Sequence, residues 1–223
     1  MDIFNVKPGK INVIPLGVDV FDHGDNTKII DLSTDVVGVD MSKDINKNKN
    51  INLLYTGYLI TRKGVDFILK SLNALVHDLS VKNVVLTIVG EGPENKNLFE
   101  LSKDLELDSY IEWKPFLSRD KLLQKIKESD IYMLLSRSEA YGISVAEALA
   151  LGTPCIITGK TALNEFSLEP GCFVVDYPPE PQKVANSILD VYKNDVTIGP
   201  FSEKIRQWNK VSDDYENLYE SML

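Results

Sequence analysis

Short apolar runs separated by amphipathic stretches set the rhythm of this chain. Six runs are mostly apolar: NLLYTGYL (52–59), NVVLTIVG (83–90), YIEWK (110–114), DIYMLLS (130–136), PCIIT (154–158) and CFVVD (172–176). Between them the period changes. In VDFILKSLNALVHDL, Val65, Ile68, Leu69, Leu72, Leu75, Val76 and Leu79 recur at helical spacing. PENKNLFELSKDLEL, RDKLLQKIKES, VAEALAL and PQKVANSILDVYK read as further helices. Runs without polar alternation are strands buried on both faces, and their alternation with helices predicts a parallel sheet covered on both sides. The expected fold is therefore α/β: a Rossmann-like, doubly wound parallel sheet of about six strands with helices on both faces.

Two regions fall outside this rhythm. Residues 1–50 hold one strand-like run, KINVIPLGV, followed by a polar stretch ending in DINKNKNIN, and are expected to form an arm and a solvated loop. Residues 199–223 follow the sheet domain (51–198) and read as a long amphipathic helix. Ile205, Trp208, Val211, Tyr215, Leu218, Tyr219 and Met222 form its apolar stripe.

Composition narrows the partners. The 223 residues are 43% hydrophobic and 26% charged, as in a soluble globular protein, with a net charge of −9. Such a chain repels nucleic acid and anionic lipid at long range, but a local cation cluster still suffices for a small phosphorylated ligand. Cys155 and Cys172 sit in apolar stretches and are expected to be reduced. His23 and His77 have no companions at metal-ligand spacing, so no metal is expected. There is no N-terminal signal pattern, and no apolar run nears the ~20 residues of a membrane span. A cytoplasmic protein is expected.

Ligands of doubly wound sheets bind at strand carboxyl ends, against helix N-termini, so each strand-to-helix junction is a candidate. In TGYLITRKGVDF (56–67), Arg62, Lys63 and Gly64 stand just before a helix. They fit a phosphate cradle, or a solvated turn. In VGEGPE (89–94), Gly90 and Gly92 flank Glu91, which fits close approach of a ligand or a tight turn. In SRSEAYGISVAEALALGTP (136–154), Ser144 and Glu147 have capping-box spacing, with Gly152 as the helix stop. The box accounts for Glu147 but not for Glu139, which follows an apolar strand at the ligand edge, nor for Tyr141-Gly142. Carboxylates there suit sugar hydroxyls, because one carboxylate accepts from two adjacent hydroxyls.

These residues carry a resemblance. SRSEAYGISVAEALALGTPCI resembles the E-x7-E segment of the retaining, nucleotide-sugar-dependent group 1 glycosyltransferases of GT-B architecture. INVIPLGVD, LLYTGYLITRKGVDFILKSL, LTIVGEGP and YENLYESML resemble other segments of that family, in its order, over residues 11–223. The resemblance implies a donor-binding domain for a nucleotide sugar such as a UDP- or GDP-sugar, acting with retention and without a cofactor or metal. Lys63, with Arg62 beside it, matches the lysine at the donor diphosphate. Glu139 matches the glutamate facing the donor sugar and reacting centre, which makes Glu139 and Lys63 the catalytic candidates. Glu147 matches the ribose-holding glutamate. Tyr141, Gly142 and Ile143, with Ser144 after them, match the turn whose amides meet sugar and phosphate. Gly90 and Gly92 match the donor-side glycine turn, and Leu117 the region beside the nucleobase.

Three positions depart from the family pattern: Tyr58 stands for an arginine, Leu16 for an asparagine and Pro115 for a glycine. Family members also carry an N-terminal acceptor domain before a domain of this kind. The expected partners are thus the donor, an acceptor, and a partner chain supplying that domain or a second copy. A non-catalytic nucleotide-sugar-binding or regulatory subunit is the alternative. A sugar-nucleotide epimerase of the same architecture is a further reading.

Overall fold

The computed structural model describes residues 14, 16–18, 50–194, 196, 198–199 and 205–222. Six strands form one sheet: β1 (Ile51–Thr56), β2 (Val84–Val89), β3 (Ile111–Lys114), β4 (Ile131–Leu134), β5 (Cys155–Thr158) and β6 (Cys172–Val175). All pairings are parallel, and the spatial order is β3-β2-β1-β4-β5-β6. The fold is the Rossmann-like sheet the apolar runs predict. β4 and β5 are buried at every position, which is why they read as unbroken apolar runs.

The helices are α1 (Val65–Asn73), α2 (Asn95–Asp104), α3 (Arg119–Lys127), α4 (Ile143–Ala150), α5 (Pro181–Lys193) and α6 (Trp208–Glu220). α1 packs against α2 and α5, and α3 against α4. α1 ends in a wider π-helical turn, Ala74–Asp78, which fills out the predicted 65–79 stretch. His77 is exposed on that turn. Leu53, Leu54, Ile68, Leu86, Met133, Ile156 and Ile188 belong to one continuous core.

The C-terminal segment differs from its prediction. Ile205 is buried ahead of the helix, and Gln207 forms a parallel bridge with Val18, whose N–H donates to the Arg206 carbonyl at 2.9 Å. The helix starts only at Trp208, because Gln207 is extended, at φ −77° and ψ 154°, where it makes that bridge. Of the expected stripe on α6, Val211 alone is buried, while Trp208, Tyr215, Tyr219 and Met222 stay exposed. Most of KINVIPLGV, His23 and the polar stretch before Asn50 lie outside the described residues.

Cys155 and Cys172 face each other in register on β5 and β6 as free thiols. Burial pushes both thiols up, Cys172 to about 12.

The strand order matters for function. Successive strands are added outward in one direction from β1 and in the opposite direction from β4, so the carboxyl ends of this parallel pair open the crevice where doubly wound sheets bind ligands.

Candidate functional site

The exits of β1 and β4 form one body. Past β1 the chain makes a tight turn, Thr61–Lys63, closed by Gly64 in the left-handed region at φ 68°. A side chain there would put Cβ 1.9 Å from the Leu135 carbonyl oxygen, so glycine is what lets the two loops touch. Arg137 fastens them. Its N–H donates to the Arg62 carbonyl at 2.8 Å, and its guanidinium donates to the Thr61 carbonyl at 2.8 Å. The same guanidinium makes a bidentate pair with Asp66 at 2.7 and 2.8 Å and stacks 4.0 Å over the Phe67 ring. Burial pushes the Asp66 carboxyl up, but the Arg137 hydrogen bonds and the charges of Arg137 and Lys70 outweigh it and hold the group below its ordinary value.

On this body Lys63 and Glu139 meet. Lys63 Nζ lies 2.6 Å from Glu139 Oε2, and Ser136 Oγ lies 3.5 Å from the same oxygen. The Ala140 N–H donates to Glu139 Oε1 at 3.3 Å. Arg62 is exposed beside them, with Nη1 3.5 Å from the Ser138 carbonyl. A cation from the β1 exit and a carboxylate from the β4 exit are thus joined across the crevice.

The capping-box reading of Ser144 and Glu147 does not hold. The N-cap of α4 is Gly142, at φ 103° and ψ 48°. Ser144 is therefore already inside the first turn, and Glu147 lies two residues past the position from which a side chain reaches back to the cap. Glu147 is 7% exposed, and Arg119 Nη2 lies 2.6 Å from its Oε1. Starting α4 at Ile143 leaves the first amides without intrahelical acceptors, and the helix dipole favours negative charge there. Ile143 itself is exposed. Tyr141 packs edge-on against Phe166 at 5.3 Å, and its hydroxyl donates to the Leu16 carbonyl at 3.2 Å. Beneath the turn, the Tyr132 hydroxyl is 3.0 Å from Thr56 Oγ1 and donates to the Thr56 carbonyl, tying β4 to β1. Burial pushes that phenol to about 12, so it stays a neutral hydrogen-bonding group.

The glycine turn after β2 packs against the β1 exit. A Cβ on Gly90 would lie 1.9 Å from the Gly57 carbonyl oxygen, and one on Gly92 2.2 Å from that of Leu59. Backbone packing therefore accounts for both glycines. Beside them a cavity of about 420 Å³ is lined by Leu59, Glu91, Phe99, Trp113, Lys114 and Pro115 among others. Phe99 and Trp113 meet edge-on at 6.2 Å on its apolar wall. Leu117 lies past this lining, packed partly on the core. Tyr58 is 61% exposed on the β1 exit.

Sequence reasoning missed Arg119, Arg137 and Asp66. Each sits at a strand-to-helix junction, the one signal that marks them, but their partners are distant in sequence. Among the described residues, no group of three or more His, Cys, Asp or Glu side chains is placed to hold a metal ion. Among them too, no helix is long and apolar enough to cross a membrane.

Comparison with known proteins bears on the family and the fold. The family model for glycosyl transferases group 1 matches residues 40–210. An uncharacterised glycosyltransferase of Methanocaldococcus jannaschii is 25% identical over 190 residues, covering 82% of this chain and 45% of that protein. The N-acetyl-alpha-D-glucosaminyl L-malate synthase of Bacillus anthracis is 25% identical over 169 residues, covering 72% of this chain and 43% of that one. The chain thus spans a little under half the length of these two relatives. Among solved structures, the sucrose-phosphate synthase of Thermosynechococcus elongatus superposes with a TM-score of 0.65 at 17% identity, over 78% of this chain and 46% of that one. Anabaena HepE, solved with UDP and glucose, gives 0.63 at 16% identity, over 78% of this chain and 49% of that one. At such identities these structures speak for the fold.

Proposed function

The chain belongs to the glycosyl transferases group 1 family, and we propose that it forms the part of such an enzyme that binds a nucleotide-diphosphate sugar, UDP- or GDP-linked, for transfer with retention. The observation that carries this reading is the Lys63–Glu139 pair, 2.6 Å apart at the topological switch point. In the proposed complex Lys63 and Arg62 face the donor diphosphate, together with the first amides of α4. Glu139 faces the sugar, and Glu147 accepts hydrogen bonds from the ribose hydroxyls. The Phe99–Trp113 cavity beside Gly90 takes the base.

The chemistry then follows from charge. As the bond from the anomeric carbon to the diphosphate oxygen breaks, its electron pair leaves on the diphosphate. An acceptor hydroxyl oxygen bonds to that carbon and passes its proton to the departing diphosphate. Cations and helix amides already aimed at the leaving oxygens stabilise that developing charge, with no metal required. The acceptor face belongs to a second body, either a partner chain supplying an N-terminal domain or a second copy. A cytoplasmic location is part of the same proposal, supported by the free thiols of Cys155 and Cys172.

Titration calorimetry with UDP, GDP and ADP tests the reading. At least one should bind, and Glu147→Ala should weaken it by about 1.5–3 kcal/mol, roughly ten- to a hundredfold. If none binds, the reading is wrong. One observation favours a non-catalytic subunit instead: exposed Tyr58 stands where the resemblance expects an arginine. Donor binding without turnover, with or without a partner chain, would support that alternative.

A further inference from the structure

Arg119 breaks a local rule. It is the first residue of α3, after the N-cap Ser118, where the helix dipole disfavours a cation. Its side chain is 47% exposed, yet it is held against Glu147, with Nη2 2.6 Å from Oε1. Glu147 is 7% exposed in α4, between the buried Ala146 and Ala148, where an uncompensated carboxylate is costly. Residues that violate local preference tend to sit where function demands it. The pair also ties together two packed helices from different strands: α3 follows β3, and α4 follows β4.

We propose that Arg119 is a specificity-determining positioning residue of the donor site. By holding Oε1, it fixes the plane of the Glu147 carboxylate for the ribose diol and so makes the site select ribonucleoside over 2′-deoxyribonucleoside diphosphates. This rests on the donor-site reading of Glu147. A carboxylate free to rotate would pay an ordering cost on meeting the diol, whereas one already clamped does not. A site built to hydrogen-bond a hydroxyl rejects the analogue lacking it, because its polar group is then left without that partner.

The test uses the full chain and the tightest binder among UDP, GDP and ADP, beside its 2′-deoxy counterpart. Calorimetry gives the affinity ratio for the unsubstituted protein, Arg119→Gln, Arg119→Lys, Glu147→Gln and the Arg119→Gln/Glu147→Gln double variant. The unsubstituted chain should prefer the ribonucleotide by about tenfold or more. Arg119→Gln should reduce that preference to the level of Glu147→Gln. Arg119→Lys should restore part of it, and the double variant should be no worse than either single one. A merely structural role would weaken both ligands alike and leave the ratio intact. An unchanged ratio in Arg119→Gln, or tighter ribonucleotide binding from unblocking Glu147, overturns the proposal while the donor-site reading stands. If no nucleoside diphosphate binds the unsubstituted chain, the donor-site reading fails and this inference fails with it.

Discussion

At the residue scale, the two glutamates of SRSEAYGISVAEALALGTP stand in different surroundings. Glu139 pairs with Lys63 across the crevice, and Glu147 with Arg119 along its edge. If Lys63 faces a diphosphate, Lys63→Ala should weaken UDP or GDP far more than the matching monophosphate. Calorimetry on both ligand classes reads that difference, and equal losses would remove Lys63 from the diphosphate. Gly64 is a backbone requirement. Its substitution by alanine meets the Leu135 carbonyl and a left-handed φ at once. The expected cost is about 2 kcal/mol or more, seen as a Tm lower by about 4–8 °C for a domain of this size. A variant that melts with the parent would show that the loops can part.

At the element scale, the strands were legible because burial on both faces writes itself as uninterrupted apolar sequence. α5 was legible for the complementary reason: its one apolar stripe starts at Pro181, which suits a first turn. α4 was misread at its start. A Ser-x-x-Glu spacing occurs equally well inside a helix whose cap lies two residues earlier, and only the left-handed Gly142 decides between that and a capping box. The Asp66–Arg137 clamp was not legible at all, since its partners are 71 residues apart and nothing local encodes which junction meets which. The clamp predicts a pH signature. The Asp66 carboxyl is held lower in the folded chain than in the unfolded one. Its contribution is therefore complete above the unfolded value, about 3.9, and is lost as pH falls through the lower folded value. Denaturant midpoints for the unsubstituted chain and Asp66→Asn should differ at pH 7 and converge as the pH drops below 4. A gap that does not change with pH would mean that the carboxylate charge adds nothing.

At the scale of the whole molecule, the strand order alone places the crevice, and the sequence contained that order only implicitly, through its regular alternation. The chain covers 45% and 43% of its two relatives described above, and on the proposed donor-site reading donor binding is separable from transfer. The chain by itself should bind a nucleoside diphosphate but transfer no sugar until an acceptor-binding body is added, as a radiolabelled-sugar assay would read. Transfer by this chain alone would place the acceptor site within it. The bridge between Val18 and Gln207 has a mechanical consequence. A pull applied at Leu16 and Met222 runs straight through the Val18–Arg206 hydrogen bond and along α6. The sheet lies in the bypassed loop and carries no tension until that link opens. Stretched from those two points, the molecule should yield first at that bridge, with the crevice between β1 and β4 still under no load.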